Sequence, residues 1–152
     1  MTRRVDFGPV DQHIGFQIHL TWRAIKKRLL GRKVSGDNPP ARGSYSVPIM
    51  IGLNPGISPQ ELALALHLDA SKVAFLLKDL ESDGLVLRTQ SQVDRRRIAL
   101  TLTDKGTAFA GEATWASAIM EDPISATITA EERTELIRIL TKIRNGARAG
   151  QD

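Results

Sequence analysis

Cysteine is absent from this chain of 152 residues, which excludes disulfides, thiolate metal sites and thiol redox sensing together. Its three histidines, His13, His19 and His67, are too few and too scattered for a metal centre. No apolar run is long enough for a transmembrane helix. The opening "MTRRVDFGPVDQHIGF" has basic residues but no apolar core, so it does not read as a signal peptide. A cytoplasmic protein with no membrane partner is expected. Catalytic signatures are missing as well: there is no notable Ser-His-Asp spacing, Gly-rich phosphate loop or HExxH site. The paired acids Glu131 and Glu132 fall in a helix first turn, where they complement the helix dipole. Neither an enzyme nor a cofactor is expected.

What is present is basic and unevenly spread. The net charge is +4, with nine Lys/Arg against three Asp/Glu in residues 1–42 and twelve against fourteen in the remainder. Within that nearly neutral remainder the basic residues gather around positions 72–97. An anionic partner is compatible with this pattern but not demanded by it.

Along the chain, apolar residues at 14, 18, 22, 25 and 29 predict a helix over 10–30, begun at Pro9 and ended at Gly31. "GRKVSGDNPPARGS" reads as a loop. "YSVPIMIGLNPG" predicts a short helix with Pro48 in its first turn. In "SPQELALALHL", Ser58, Pro59 and Glu61 form a capping box, and Leu62, Leu66 and Ala65 give one apolar face. Asp69 then caps "ASKVAFLLKDLESDG", whose Val73, Leu76, Leu77 and Leu80 face inward and which Gly84 ends. Two helices joined by a bend of three or four residues make a helix-turn-helix.

Segments 85–90 and 97–103 read as an antiparallel hairpin with a charged tip. Thr103 caps a helix through Met120, which Asp122-Pro123 should interrupt, and Thr129 with Glu132 opens a last helix. The fold expected is mainly α with a small β-wing: a winged helix-turn-helix lobe over residues 44–103, between a helix and loop over 1–43 and helices over 104–152.

A helix-turn-helix followed by a wing suits duplex DNA, since the second helix fits the major groove and the wing reaches the flanking backbone. Candidate DNA contacts on the second helix are Ala70, Ser71, Lys72, Ala74, Phe75 and Lys78, with Ser58 and Gln60 at the start of the helix before it. Phe75 has a second reading, packing on the neighbouring helix, and Ser58 a compatible one as a plain cap. On the wing, Asp94, Arg95, Arg96 and Arg97 are the candidates, because clustered arginines repel one another unless an anion accepts them.

The stretch from Asn54 to Gly106 resembles the DNA-binding lobe of the MarR family of bacterial transcriptional regulators. The likeness is strongest over residues 44–106, through Leu80-Glu81 and Gly84-Leu85, then Asp94 and Arg96 in the wing, then "LTLTDKG". The resemblance implies that Asp94 orients the wing or pairs with a basic group, and that Arg96 reaches into the minor groove. Lys78-Asp79 stands where members often carry Asp-Arg, a departure that predicts rewired ion pairing there.

The resemblance also implies a homodimer, in which residues 1–43 supply a dimerisation or ligand helix and loop, 44–103 the DNA-binding lobe and 104–152 the C-terminal dimerisation helices. Its interlaced terminal helices would present two recognition helices about 34 Å apart to a palindromic site. The stripe Leu136, Ile139, Leu140 and Ile143, with Trp115 and Ile119, needs such a cover. A further implication is a repressor released by a small effector, often an aromatic acid or phenol, with an aldehyde as another candidate. The basic run Arg23, Lys26, Lys27, Arg28, Arg32 and Lys33 reads either as a solvated helix face or as a patch for a phosphate-bearing effector such as an acyl-CoA. Candidate ligand residues are His13, Phe16, Gln17, His19, Leu20, Arg23, Tyr45 and Met50, each with an ordinary structural reading beside it. A ligand-independent DNA-binding regulator and a winged-helix protein-interaction module are the alternative functions.

Overall fold

The structure, a computed structural model, describes residues 5–30, 45–90 and 96–149. The expected loop over 31–44 lies outside the described residues, as do Asp94 and Arg95. The elements are α1 (Ile14–Leu30), α2 (Ser46–Leu53), α3 (Pro59–Leu66), α4 (Ala70–Ser82), β1 (Val86–Gln90), β2 (Ile98–Leu102), α5 (Asp104–Ser125) and α6 (Ala130–Ala149). They form two compact units, Gly36–Ile119 and Met1–Ser35 with Met120–Asp152.

The first of these units holds the winged helix. Val47 and Ile51 of α2, Leu62 of α3, Val73, Leu76, Leu77 and Leu80 of α4, and Leu100 of β2 share one buried core. All four inward positions expected on α4 are buried. On α3 the buried face is Leu62 with Ala63, while Ala65 is exposed, a shift of the stripe toward α4. His67 leaves α3 in the left-handed conformation (φ 52°), and the Leu68 N–H donates to Ala63 O at 3.0 Å. That closes the bend before Asp69.

After α4, Gly84 takes φ 68° and the Leu85 N–H donates to Leu80 O at 2.9 Å, which turns the chain into β1. The two strands pair antiparallel, Val86 opposite Leu102 and Gln90 opposite Ile98. They are one or two residues shorter than expected. At the base of the wing Leu100 also pairs with the segment before α3: Gly56 N–H donates to Leu100 O at 2.8 Å and Leu100 N–H to Ile57 O at 2.9 Å.

Thr103 caps α5 as expected, its hydroxyl accepting from Gly106 N–H at 2.9 Å and donating to Gly84 O at 2.8 Å. Gly106 is a glycine because of what faces it: a Cβ there would stand 2.0 Å from Leu85 O. Backbone cannot yield as a flexible side chain would.

In the other unit, the helical start at Pro9 proves to be a 3-10 turn, Gly8–Gln12, with α1 beginning only at Ile14. His13 at φ −85° and ψ 120° breaks the two apart. The expected break at Asp122-Pro123 is corrected too, since α5 continues to Ser125. Proline removes one helical hydrogen bond, and two residues before the end only the last turn is at stake. The Thr129 capping box forms, with Thr129 N–H donating to Glu132 Oε2 at 2.8 Å and Glu132 N–H to Thr129 Oγ1 at 3.2 Å.

Both long helices of this unit keep large apolar side chains in the open. On α1 these are Ile14, Ile18 and Trp22, and on α6 Leu136, Ile137, Ile139, Leu140 and Ile143. No helix among the described residues is long and apolar enough to cross a membrane.

Candidate nucleic-acid interface

Helix α4 presents a prepared surface. Asp69 Oδ1 accepts from the Ser71 hydroxyl at 2.5 Å and from the Lys72 N–H at 2.6 Å. The Ser71 hydroxyl, and next the Lys72 amide, hold the Asp69 carboxyl below its ordinary pKa. Its charge therefore persists at the helix N-terminus, where the dipole favours an anion.

Beyond this cap Ala70, Ser71, Lys72, Ala74, Phe75 and Lys78 are all exposed. Phe75 does not pack into the core: it is 44% exposed, and Lys72 Nζ sits 5.6 Å from its ring centroid. A cation over an aromatic face is an attractive contact, and it restrains both side chains on the open face. Lys78 and Asp79 are both exposed beside the buried Leu77 and Leu80.

Ser58 is buried, only 7% exposed, and its bonds to Glu61 are those of a cap. Its hydroxyl donates to Glu61 Oε2 at 2.7 Å and accepts from Glu61 N–H at 3.2 Å, while its own N–H donates to Glu61 Oε2 at 2.8 Å. Gln60 is exposed beside it.

On the wing, Arg96 is exposed at the start of the described residues after the tip. Arg97 is engaged within the chain: Nη2 donates to Glu61 Oε1 at 2.7 Å and to Ser58 Oγ at 3.5 Å. Glu61 is held at a pKa of about 2, chiefly by the Ser58 N–H, then by its hydroxyl, then by the Arg97 guanidinium. Arg88 of β1 likewise bonds Glu81 of α4 through Nε at 2.8 Å.

Neither the Glu61–Arg97 pair nor the Glu81–Arg88 pair is foreseen in the sequence. The capping box accounts for Glu61 locally, and nothing local signals a partner 36 residues away.

The candidate ligand residues divide between the two units. His13, Phe16, Gln17, His19, Leu20 and Arg23 fall with α1, Tyr45 and Met50 with the winged helix. On α1, Phe16 meets Phe7 edge to face at 5.5 Å. The Gln17 amide donates to Asp11 O at 2.6 Å and to Asp11 Oδ1 at 2.8 Å, so it locks the 3-10 turn. His13, His19 and Arg23 are exposed, and Leu20 is half-buried. Met50 packs against the winged-helix core.

An open groove of about 340 Å³ lies between α2, β2 and α5. Ile49, Gly52, Leu53, Thr107, Ala110 and Thr114 are among its lining residues. Its only trace in the sequence is the run of small residues at helical spacing, Thr107, Ala110, Gly111 and Thr114.

Known proteins share this arrangement. The model of the MarR family matches residues 44–98. A Thauera aromatica protein assigned to the hcr operon as a transcriptional regulatory protein is 30% identical over 137 residues, 90% of this chain and 81% of that one. The transcriptional repressor CouR, bound to a 23-mer DNA duplex, is 27% identical with a TM-score of 0.79, covering 93% of this chain and 99% of CouR. CouR bound to p-coumaroyl-CoA is 26% identical with a TM-score of 0.75, over 93% and 98% of the two chains.

Proposed function

The chain belongs to the MarR family of transcriptional regulators, and from that premise we propose that it is a dimeric repressor that binds palindromic duplex DNA through α4 and the wing. The observation that carries this reading is the exposed face of α4. Lys72 and Lys78 supply charge there, Ala70 and Ala74 allow close approach to bases, and Asp69 fixes the helix start. Arg96, with Asp94 and Arg95, extends the contact from the wing. CouR, of similar fold, was captured on a DNA duplex, which supports the same partner here.

The terminal helices pair two copies. Residues 1–43 and 104–152 form the dimerisation region, and residues 44–103 the DNA-binding lobe. An effector, an aromatic acid, an aldehyde or an acyl-CoA, releases the DNA. The p-coumaroyl-CoA bound to CouR supports this effector class. His13 just before α1 and Phe16, Gln17, His19, Leu20 and Arg23 of α1, with Tyr45 and Met50, are its contacts, and a cytoplasmic location suits such a regulator.

Affinity for duplex DNA against salt tests the central part. If Lys72, Lys78, Arg95 and Arg96 of both protomers each meet a phosphate, log affinity falls against log salt with a slope of about −7. Arg96→Ala should weaken binding and flatten that slope by about two across a dimer. A flat salt response would instead mark the winged helix as a protein-interaction module.

A further inference from the structure

Arg97 belongs to the run of wing arginines, yet its guanidinium turns back onto the chain and meets Glu61 at 2.7 Å. We infer that Arg97 is a wing-positioning residue: with Glu61 it fixes the direction in which the β1–β2 hairpin leaves the winged helix, and it does not neutralise a phosphate. The inference rests on the DNA-binding reading above and assigns this one arginine a different task from Arg96.

Three features support it. The Glu61 carboxylate is already oriented, because Oε2 accepts both the N–H and the hydroxyl of Ser58. Its other oxygen is thereby offered to Arg97 with little further loss of side-chain freedom. Next, a single attachment leaves a hairpin free to hinge, whereas several set its direction: on β1 Arg88 meets Glu81 of α4 at 2.8 Å, and the β2 side has two. The first is the exchange of backbone bonds between Leu100 and the Gly56–Ile57 segment. The second is Arg97, three residues nearer the tip along the chain, tied to the first turn of α3.

The third feature is charge. Paired with Glu61, Arg97 forms a neutral unit, which releases few counterions on meeting DNA. The pair is half-exposed, with side-chain exposures of 53% and 49%, so its effect on global stability is small. What it alters is the population of correctly aimed wings before DNA arrives.

Glu61→Gln separates the two roles. Glutamine can still accept from Ser58 and keep the capping box, but it loses the charge that holds Arg97. If Arg97 touched phosphate, removing a nearby acid would leave DNA affinity unchanged or raise it. Positioning predicts the opposite: Glu61→Gln and Arg97→Ala each weaken binding about two- to fivefold per wing. The double variant should bind no worse than either single one.

The salt slope gives an independent reading on Arg97→Ala alone, which alters only a half-exposed side chain and does not depend on Glu61→Gln folding well. The bound complex keeps the same phosphate contacts, so weaker binding with an unchanged slope is expected. A phosphate contact would instead reduce the slope by about one per wing. Tighter or equal binding by a folded Glu61→Gln, additive losses in the double variant, or a reduced slope for Arg97→Ala would each overturn the inference while leaving the DNA reading intact. Wild-type protein indifferent to duplex DNA at low salt would remove both.

Discussion

Leu77→Ala is expected to lower the unfolding free energy by about 2–5 kcal/mol, the range for emptying a leucine site in a packed core. Leu77 is fully buried on α4, inside the cluster that joins Val47 and Ile51 of α2, Leu62 of α3 and Leu100 of β2. The cost has two parts: lost transfer of the side chain out of water, and a cavity the neighbours fill only partly. Because the same helix carries Lys72 and Lys78 on its exposed face, loosening the inner face also blurs the outer one. Urea unfolding followed by circular dichroism should show a lower midpoint with an unchanged slope. A shift worth less than about 1 kcal/mol would mean that α4 is not seated through this residue.

Leu140→Glu is expected to act on assembly and to leave each chain folded. Leu140 is 40% exposed on α6, in a row with Leu136, Ile137, Ile139 and Ile143, which are between 38% and 47% exposed. Ile14, Ile18 and Trp22 on α1 are likewise open. So much apolar surface on two long helices is the surface that a second copy covers under the proposed dimer. A carboxylate placed in that contact carries a desolvation cost of several kcal/mol. With about 3 kcal/mol of it unrelieved, dimerisation weakens by roughly a hundredfold. Sedimentation should find wild-type dimers and variant monomers at the same concentration. DNA affinity should fall with dimerisation, since each half-site is then bound alone. A variant that stays dimeric places the contact elsewhere.

Much of the fold was legible in the sequence because its signals are local. Ser58 with Glu61, Asp69, Thr103 and Thr129 all cap helices as read, since a cap and its partner lie within one turn. Val73, Leu76, Leu77 and Leu80 declare the buried face of α4 by spacing alone.

What is less legible depends on distance or on competition. Pro123 is expected to break the helix, but α5 carries it within its last turn. Pro9 opens a 3-10 turn where a helix was expected, because His13 takes an extended conformation before α1. Gly106 reads as an ordinary helix glycine until the strand start is packed against it and Leu85 O fills the place of a side chain. Arg97 is the instructive case. Three adjacent arginines look equivalent in sequence, and only folding brings Glu61 to the third. The candidate ligand residues, drawn from α1 and α2, fall in separate compact units, and the groove lined by small residues of α5 was not anticipated.

The most direct measurement is amide hydrogen exchange of the full chain, free and with duplex DNA at low ionic strength. Slower exchange is expected over residues 70–78 and in the wing around Arg96, with α6 unchanged. Protection that spares α4 and the wing, or none under conditions where DNA is bound, would contradict the assignment of this helix and hairpin to DNA.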